Sequence, residues 1–373
     1  MNKSIIISNG ILIDPEKNTS IAGDIGIENG KIVKASTLAG RNPDYINAEG
    51  NYIAPGFIDM HVHIFENWTE FGLSADTIGV KQGVTTLVDA GSAGFAGYRQ
   101  FRTEVIDKSK TEVLSFLNLS KKGLCEGYSE LANMDDLMDV EEWLDILSRE
   151  ASIVGIKARM SGSVVKENGI KPLYHARRLA DQTAVPIMVH IGNPPPALKE
   201  ILPCLKKGDI VTHAFHGKPG GIMQEDGTMA VEAESALSRG VHFDLGHGEA
   251  SFSYRTMERY LENYRTAFTI STDLHKRNRE KPVGSLMDTM TKLLSFGFSV
   301  EEVVRRVTFL PAKALGLTEQ GTMKEGTCAD LTIFSVKEKE VFLHDAEGAS
   351  RRMNKIIEPF MTIVKGEELI IHD

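Results

Sequence analysis

The chain has 373 residues, of which 42% are hydrophobic and 25% are charged, so a folded protein is expected rather than a long disordered one. This length exceeds the roughly 250–300 residues that one core commonly holds, which indicates a large domain with a smaller one beside it. A net charge of −9 without basic runs argues against nucleic-acid and membrane-surface partners. The three scattered cysteines form no disulfide framework, and no apolar segment has signal-peptide or membrane-span length, so a cytoplasmic protein is expected.

The first 54 residues have the composition of short β-strands. Two Asn-Gly pairs, Asn9-Gly10 and Asn29-Gly30, stand between β-branched runs. Asn-Gly is typical of two-residue hairpin turns, because both turn positions need a positive φ. We therefore expect a hairpin at each pair.

The C-terminal end has a similar pattern. Residues 329–336 and 361–373 are predicted strands, the second with a hairpin turn at Lys365-Gly366. Two β-rich ends can pair with each other. We expect residues 1–54 and 318–373 to form one small β-sandwich domain.

Between these ends, eight short apolar runs alternate with helical patterns. The runs are residues 56–63, 84–90, 112–119, 152–158, 185–190, 209–215, 241–246 and 267–273. Helices are predicted at 134–150, 169–183 and 255–265 from the spacing of their apolar residues. Eight strand–helix units over residues 55–317 predict an α/β fold, a (β/α)8 TIM-like barrel. An open doubly wound sheet is the alternative, but no glycine-rich phosphate loop follows the first run.

Side chains that can bind metal stand at the carboxyl ends of these runs. They are His61 and His63 on the first run, Lys157 on the fourth, His190 on the fifth, His213 on the sixth and Asp273 on the eighth. In a barrel these strand ends meet at one mouth, where active sites lie. Residues i and i+2 of a strand point to the same side, so His61 and His63 converge. Each residue alone is more often structural, but imidazoles and a carboxylate at equivalent positions predict a metal site, with zinc the favoured ion.

Five segments carry a resemblance to a known family. They are APGFIDMHVH at 54–63, GIKARMS at 155–161, MVHIG at 188–192, THAFHG at 212–217 and ISTDLH at 270–275. The ordered set resembles the amidohydrolase superfamily, and within it the amidohydrolase/deacetylase subgroup, whose members are often labelled dihydroorotase or adenine deaminase. The resemblance spans the whole chain, and GTMKEGTCADLTIF at 321–334 is similar to the family's return to its terminal β-domain.

The resemblance implies a binuclear metal hydrolase with two divalent ions, zinc being expected. The implied ligands are His61, His63 and Asp273 for the more buried ion, His190 and His213 for the other, and Lys157, carboxylated by CO₂, as a bridge between them. A hydroxide between the two ions would attack an ester or amide carbonyl. Asp273 would be the catalytic residue that passes the proton of this hydroxide to the leaving group. The resemblance also implies a homo-oligomer with a small-molecule substrate.

Two further residues are predicted to bind substrate. Arg159 lies two positions after Lys157 and would face the same mouth, where a bidentate guanidinium suits a substrate carboxylate. His247 follows the seventh run, and the roles of His216 and His275 stay open. The leading hypothesis is a deacetylase-like hydrolase acting on a small carboxylate-bearing substrate. Adenine deaminase and a dihydroorotase-like cyclic amidohydrolase are the alternatives, whereas a metal-free assembly protein is disfavoured because all six ligand positions are filled.

Overall fold

The computed structural model of the protein describes residues 4–127 and 129–370, with the backbone alone at 368–370. The strands of this described part are β1 Ser4–Asp14, β2 Thr19–Glu28, β3 Lys31–Val33, β4 Asp44–Asn47, β5 Tyr52–Pro55, β6 Phe57–Val62, β7 Val84–Ala90, β8 Glu112–Asn118, β9 Ile153–Met160, β10 Ile187–Ile191, β11 Ile210–Thr212, β12 His242–Phe243, β13 Leu331–His344, β14 Ser350–Val364 and β15 Glu367–Ile370. The α-helices are α1 Ala35–Leu38, α2 Ala75–Ile78, α3 Tyr98–Glu104, α4 Val140–Arg149, α5 Gly162–Val165, α6 Lys171–Thr183, α7 Leu198–Ile201, α8 Val231–Ser238, α9 Tyr254–Asn263, α10 Leu286–Leu294, α11 Val300–Val307 and α12 Phe309–Leu315. None of these helices combines the length and the apolar character needed to cross a membrane.

Strands β6 to β12 form a seven-stranded parallel sheet in chain order. Every residue of β6 and β7 is buried. Strands covered on both faces are expected to be continuously apolar, which explains why the runs lack polar alternation. The core lies between this sheet and the helices outside it, where Trp143 of α4, Leu179 of α6 and Tyr260 of α9 are fully buried.

The eighth predicted run closes this sheet without forming a regular strand. Thr269 makes a parallel bridge to Asp244 just beyond β12, and Leu274 makes one to Val62 of β6. Asp273 has a φ of 51°, in the left-handed region, which interrupts the extended backbone between the two bridges. The prediction of a regular eighth strand is therefore wrong, although the segment occupies the expected place and the sheet curls in the manner of a barrel.

Strands from both chain ends share a second sheet of eight strands. Its order is β15-β14-β13-β5-β1-β2-β3, with β4 also paired to β1. Antiparallel pairing of β5 with β13 joins the two ends of the chain. Buried Ile7, Ile25, Ile53, Leu331 and Ile363 form part of its apolar core. The strands belong to one hydrogen-bonded sheet, so the two-layer sandwich and the domain boundaries stay predictions, and residues 371–373 of the last predicted strand lie outside the described residues.

Two of the three predicted hairpin turns are confirmed, at Asn29-Gly30 between β2 and β3 and at Lys365-Gly366 between β14 and β15. The hairpin at Asn9-Gly10 is wrong, because β1 continues through this pair with a β-bulge and β2 pairs with both of its halves. Asn9 takes the left-handed φ of 58° that the pair favours. A Cβ on Gly10 would lie 2.3 Å from the Ile53 side chain, so close packing against β5 explains the glycine instead.

The predicted helices are present with adjusted ends. Helices α6 and α9 lie within the predicted ranges 169–183 and 255–265 to within one residue. Helix α4 begins six residues later than its pattern, because Asp139 and Glu142 form a capping box at its start. Parallel pairing of the strands in chain order places the carboxyl ends of β6, β9, β10 and β11 along one edge of the sheet.

Candidate metal centre

His61, His63 and Asp273 form a compact cluster of donor atoms at the end of β6. The Nε2 atoms of His61 and His63 lie 3.3 and 3.2 Å from Asp273 Oδ1. One ligand atom from each residue falls within 4.8 Å of the others. The Asp273 backbone N–H donates to the His61 carbonyl at 2.6 Å, so the left-handed turn at Asp273 brings its carboxylate to this point. Two imidazoles and a carboxylate at this spacing match the ligand set of a divalent metal ion.

The neighbouring strands extend this cluster. Lys157 of β9 places Nζ 3.0 Å from His61 Nε2. The His213 ring, just after β11, lies 5.0 Å from the His61 ring and 4.2 Å from the ring of His190 on β10, measured between centroids. A Cβ on Gly91, whose φ is 85°, would lie 2.8 Å from Lys157 Cβ, so this glycine makes room for the lysine. The structure thus brings all six predicted ligands together.

The hydrogen bond of His213 defines which of its ring nitrogens is open. Its Nδ1 lies 2.6 Å from the Gly246 carbonyl oxygen, which only accepts, so Nδ1 carries the proton and Nε2 presents a lone pair. Among the described residues this buried Nε2 has no hydrogen-bond partner, and Asp273 Oδ2, itself an acceptor, is 3.9 Å away. A buried acceptor without a donor is costly. A cation would satisfy both atoms, so the residues present fit a metal ion.

A chain of hydrogen bonds orients His61 in the same way. Thr212 lies 2.8 Å from His61 Nδ1 and donates its hydroxyl proton to Asp244 Oδ2 at 2.7 Å. The hydroxyl therefore accepts from Nδ1–H, which leaves the His61 Nε2 lone pair directed at the cluster. The hydroxyls of Thr269 and Ser271 also donate to Asp244, at 2.7 and 2.6 Å. Such outer partners fix the ring orientation and the tautomer of metal-binding histidines.

His63 is supported from the neighbouring strand β7. Its Nδ1 lies 2.9 Å from Ser92 Oγ. Asp89 accepts the backbone N–H of Ser92 at 2.7 Å and that of Ile64 at 3.0 Å. The carboxylate of Asp89 thus ties the loop after β7 to the residue that follows His63.

Burial sets the protonation of the cluster. It lowers the pKa of His213 to about 3 and holds the pKa of His61 well below its usual range, so both imidazoles are neutral, the form that binds metal. Burial also lowers the pKa of Lys157 to about 7. A lysine amine is a possible nucleophile or ligand only in this neutral form.

Comparison with known proteins identifies the family. Residues 52–369 match the model of the Amidohydrolase family. The chain belongs to the amidohydrolase family. A protein from Enterococcus faecalis named deacetylase is 38% identical over 372 residues, which cover 98% of this chain and 99% of the relative. The predicted family is confirmed, and this amidohydrolase is an enzyme of the hydrolase class whose His-His-Asp cluster suits metal.

Two solved structures are similar to this amidohydrolase over nearly its full length. One, described as an adenine deaminase, has a TM-score of 0.91 at 37% identity and covers 99% of this chain and 100% of its own. Another, described as a dihydroorotase, has a TM-score of 0.90 at 34% identity and covers 98% of this chain and 97% of its own. The three related proteins thus carry three different activity names.

The two predicted substrate-binding residues of this amidohydrolase contact other protein groups. Arg159 makes a bidentate ion pair with Glu130, with Nε–Oε1 and Nη2–Oε2 distances of 2.6 Å. The ring of His247 is buried, with Nδ1 3.0 Å from the Gly248 carbonyl oxygen and Nε2 2.8 Å from Lys292 Nζ. Roles in substrate binding for Arg159 and His247 stay predictions.

Another histidine near the cluster is His275. Its ring centroid lies 6.3 Å from that of His63 and 4.8 Å from that of Phe71, against which it packs edge-on. Its Nδ1 accepts the backbone N–H of Arg277 at 3.2 Å. These contacts place His275 at the edge of the cluster rather than within it.

Sequence reasoning missed the residues that hold the ligands in place. Thr212 and Asp244 lie in the sixth and seventh apolar runs, and both are fully buried. An acid within an apolar run was the available signal, because a buried carboxylate needs several donors. Lys292 gave no signal, since a lysine within a helical pattern is ordinarily exposed.

Proposed function

We propose that the chain is a metal-dependent deacetylase that hydrolyses an acetyl ester or amide of a small carboxylate-bearing molecule. The observation that carries this proposal is the convergence of six donor side chains in one cluster, in which His213 Nε2 has no hydrogen-bond partner among the described residues. The near full-length similarity to a protein named deacetylase supports acetyl groups as the target.

Two divalent cations suit the donor set. The proposed ligands are His61, His63 and Asp273 for one ion, His190 and His213 for the second, and Lys157 between them. Zinc binds imidazole and carboxylate readily, and a site with an open position is typical of catalytic zinc. When bound, such ions supply Lewis acidity, which lowers the pKa of water and polarises a carbonyl.

The surroundings of Lys157 favour its carboxylation by CO₂. With its pKa lowered to about 7 by burial, much of the amine is neutral near neutral pH. The neutral nitrogen forms a bond to the CO₂ carbon and releases one proton, which yields an anionic carbamate with two oxygens. Among the described residues no carboxylate lies within ion-pair distance of Lys157 Nζ to hold it as ammonium, and its other contact is Met188 Sδ at 3.3 Å.

Asp273 is suited to carry the proton. Its Oδ1 faces the imidazoles of His61 and His63, while Oδ2 lies on the side of His213. A Cβ on Gly248 would lie 2.8 Å from Oδ2, so the missing side chain leaves this oxygen uncovered. Asp273 would accept a proton from the attacking water at Oδ2 and release it to the leaving nitrogen or oxygen.

A second candidate function comes from the solved relatives, which are described as an adenine deaminase and a dihydroorotase. Release of ammonia from a purine and opening of a cyclic amide both need the same activated water. Dihydroorotate also bears a carboxylate, so a need for that group does not separate it from an acetylated acid.

One panel of hydrolysis assays tests these alternatives. Protein loaded with zinc and bicarbonate would be given O-acetyl 2-hydroxy acids, N-acetyl amino acids, dihydroorotate and adenine. Acetate release from an acetylated acid is the expected result. Ammonia from adenine, or ring opening of dihydroorotate, without acetate release would contradict the deacetylase and support the second candidate.

A further inference from the structure

A second set of polar groups lies directly beside the metal centre. His216 follows His213 by one tight turn, in which its backbone N–H donates to the His213 carbonyl at 3.3 Å. Residues 216–225 and α9 line a cavity of about 640 Å³ there. His216, Lys218 and Arg259 are among the side chains that line it.

His216 has the opposite tautomer to His213. Its Nδ1 accepts the backbone N–H of Lys218 at 3.1 Å, so the ring proton is on Nε2. The residue is 2% exposed, and among the described residues Nε2 has no hydrogen-bond partner. The unpartnered nitrogen of His213 is a lone pair that suits a cation, whereas that of His216 is an N–H that suits an acceptor, such as an anion.

The cavity also holds an excess of positive charge. Lys218 and Arg259 are half-buried, and within the part of the chain that the structure describes neither forms an ion pair. Of the other charged groups at the cavity, Arg255 is exposed and pairs with Glu347 at 3.5 Å, and Glu225 is exposed on the rim. Burial lowers the pKa of Lys218 while the charge of Asp273 opposes this shift, which puts the ammonium within electrostatic range of the metal centre.

Arg159, which the sequence predicts to bind the substrate carboxylate, is already paired with another residue. The Arg159 guanidinium already forms two charge-assisted hydrogen bonds to the buried Glu130 carboxylate. A substrate carboxylate would have to displace Glu130 to reach it. Lys218 and Arg259 need no such displacement.

We propose that His216, Lys218 and Arg259 form the subsite that binds the carboxylate of the substrate, one turn away from the acetyl group at the metal centre. This inference rests on the proposed deacetylase function. The substrates would be acetylated acids in which the subsite binds a carboxylate that is separate from the reacting carbonyl. Lys218 and Arg259 would then determine the preference for acids over uncharged compounds.

The test compares an acid with its uncharged counterpart. kcat and KM would be measured for N-acetylalanine and N-acetylalaninamide in the metal-loaded wild type and in Lys218→Met, Arg259→Met and Arg159→Met. Lys199→Met, at an exposed lysine of α7 away from the cavity, is the matched control. Thermal melting would check that each variant is folded, and Lys218→Arg would test whether restored charge restores binding.

For the acid, KM is expected to rise about 10- to 100-fold in Lys218→Met and in Arg259→Met, because each loses a hydrogen bond to a charged group. kcat for the acid and both constants for the amide should change less than about twofold, and Lys218→Arg should recover most of the loss. The contrary result is that Lys218→Met and Arg259→Met prefer the acid over the amide as strongly as the wild type does, while Arg159→Met alone loses this preference. It would assign carboxylate binding to Arg159 and overturn the subsite.

A binding measurement separates failure of the subsite from failure of the deacetylase. If the wild type hydrolyses neither compound, calorimetric titration with N-acetylalanine still reports on the cavity. If the wild type binds N-acetylalanine, and binding is weaker in Lys218→Met but not in Lys199→Met, the subsite is supported although the deacetylase proposal is contradicted. Absence of binding by the wild type, or equal binding by all variants, overturns the subsite.

Discussion

Two lysines are buried among the residues that the structure describes, and their surroundings differ. Lys157 and Lys292 are 1% and 0% exposed, and burial lowers the pKa of each to about 7. Lys292 Nζ donates to the Pro282 carbonyl at 2.7 Å and lies 2.8 Å from His247 Nε2. Lys157 Nζ instead lies 3.0 Å from His61 Nε2, within the cluster of proposed metal ligands.

The comparison shows that burial alone does not identify a reactive lysine. A backbone carbonyl is a fixed acceptor for an N–H of the lysine nitrogen in either protonation state, so the contacts of Lys292 suit a structural donor that holds His247 and the segment before α10. Lys157 Nζ contacts His61, a proposed metal ligand, and metal ions at this site would favour an anionic group in place of an ammonium. The partners of the nitrogen, rather than its pKa, separate the two roles.

The largest expected effect is that of Lys157→Ala. Removing the proposed bridge between two cations should lower kcat/KM on the order of 10³-fold, since the metals are expected to supply several kcal/mol of transition-state stabilisation. Metal analysis should show about one ion per chain instead of two. Added acetate or propionate should restore part of the activity, because a free carboxylate can occupy the vacated space.

Lys292→Ala is the matched comparison for this variant. It removes an equally buried lysine, yet metal content should stay at the wild-type value. Normal metal content and turnover in Lys157→Ala would contradict a role for Lys157 in metal binding. Equal metal loss in both variants would contradict the claim that only Lys157 has this role.

Metal removal should have the next largest effect. Protein stripped with a chelator is expected to melt at a lower temperature than protein supplied with zinc, since a ligand that binds only the folded state stabilises it by about 3–4 kcal/mol at 100 to 1,000 times its Kd. The zinc-induced shift should be smaller in Lys157→Ala and unchanged in Lys292→Met. A shift of the same size in all three proteins would mean that Lys157 does not contribute to zinc binding.

Thr212→Val tests whether the hydrogen bonds that orient His61 contribute to metal binding. Valine has nearly the same shape as threonine but cannot accept the His61 Nδ1 proton or donate to Asp244. Loss of such a partner is expected to weaken zinc binding about 10- to 100-fold, with a parallel loss of activity at limiting zinc. Zinc affinity measured by competition with a coloured chelator checks this. Thr332→Val, at a buried hydroxyl that donates to the Gly83 carbonyl in the terminal sheet region, should leave zinc affinity unchanged.

The sequence predicted which candidate ligand side chains come together better than it predicted the residues that support them. His61 and His63 could be paired because strand geometry alone directs i and i+2 to one side. The hydrogen bonds from His61 through Thr212 to Asp244 depend on bond directions between three segments that are distant in sequence, which no local pattern encodes. Lys292 looked like an ordinary helical lysine, and only the packing of α10 buries it.

Two errors in the predicted fold have the same origin. Asn9-Gly10 has the local preference for a turn, but pairing with β2 on both sides of it and packing of Gly10 against Ile53 keep the strand continuous. The eighth run reads as a strand, but the left-handed turn at Asp273 that directs its carboxylate interrupts the pairing. In both cases tertiary contacts override the local preference of the sequence.

Per pH unit, the smallest expected effect is the pH dependence of stability contributed by Lys292. In the unfolded chain this lysine binds a proton below its usual pKa of 10.5, whereas in the folded chain it binds one only below about 7. Between these values the unfolded state holds more protons, so the contribution of Lys292 makes the free energy of unfolding rise with pH from about 7 toward 10.5. Below pH 7 both states hold the proton, and this contribution does not change with pH. Methionine at position 292 removes this contribution.

The free energy of unfolding of the wild type minus that of Lys292→Met should therefore increase by up to about 1.4 kcal/mol per pH unit between pH 7 and 10. Urea unfolding of chelator-treated proteins at several pH values measures it. Titration of Lys157 is common to both proteins and cancels in the difference, as do hydrogen-bond losses that do not depend on pH. Parallel curves would mean that the carbonyl of Pro282 and the ring of His247 keep Lys292 protonated across this range, so that only Lys157 is a neutral amine at physiological pH.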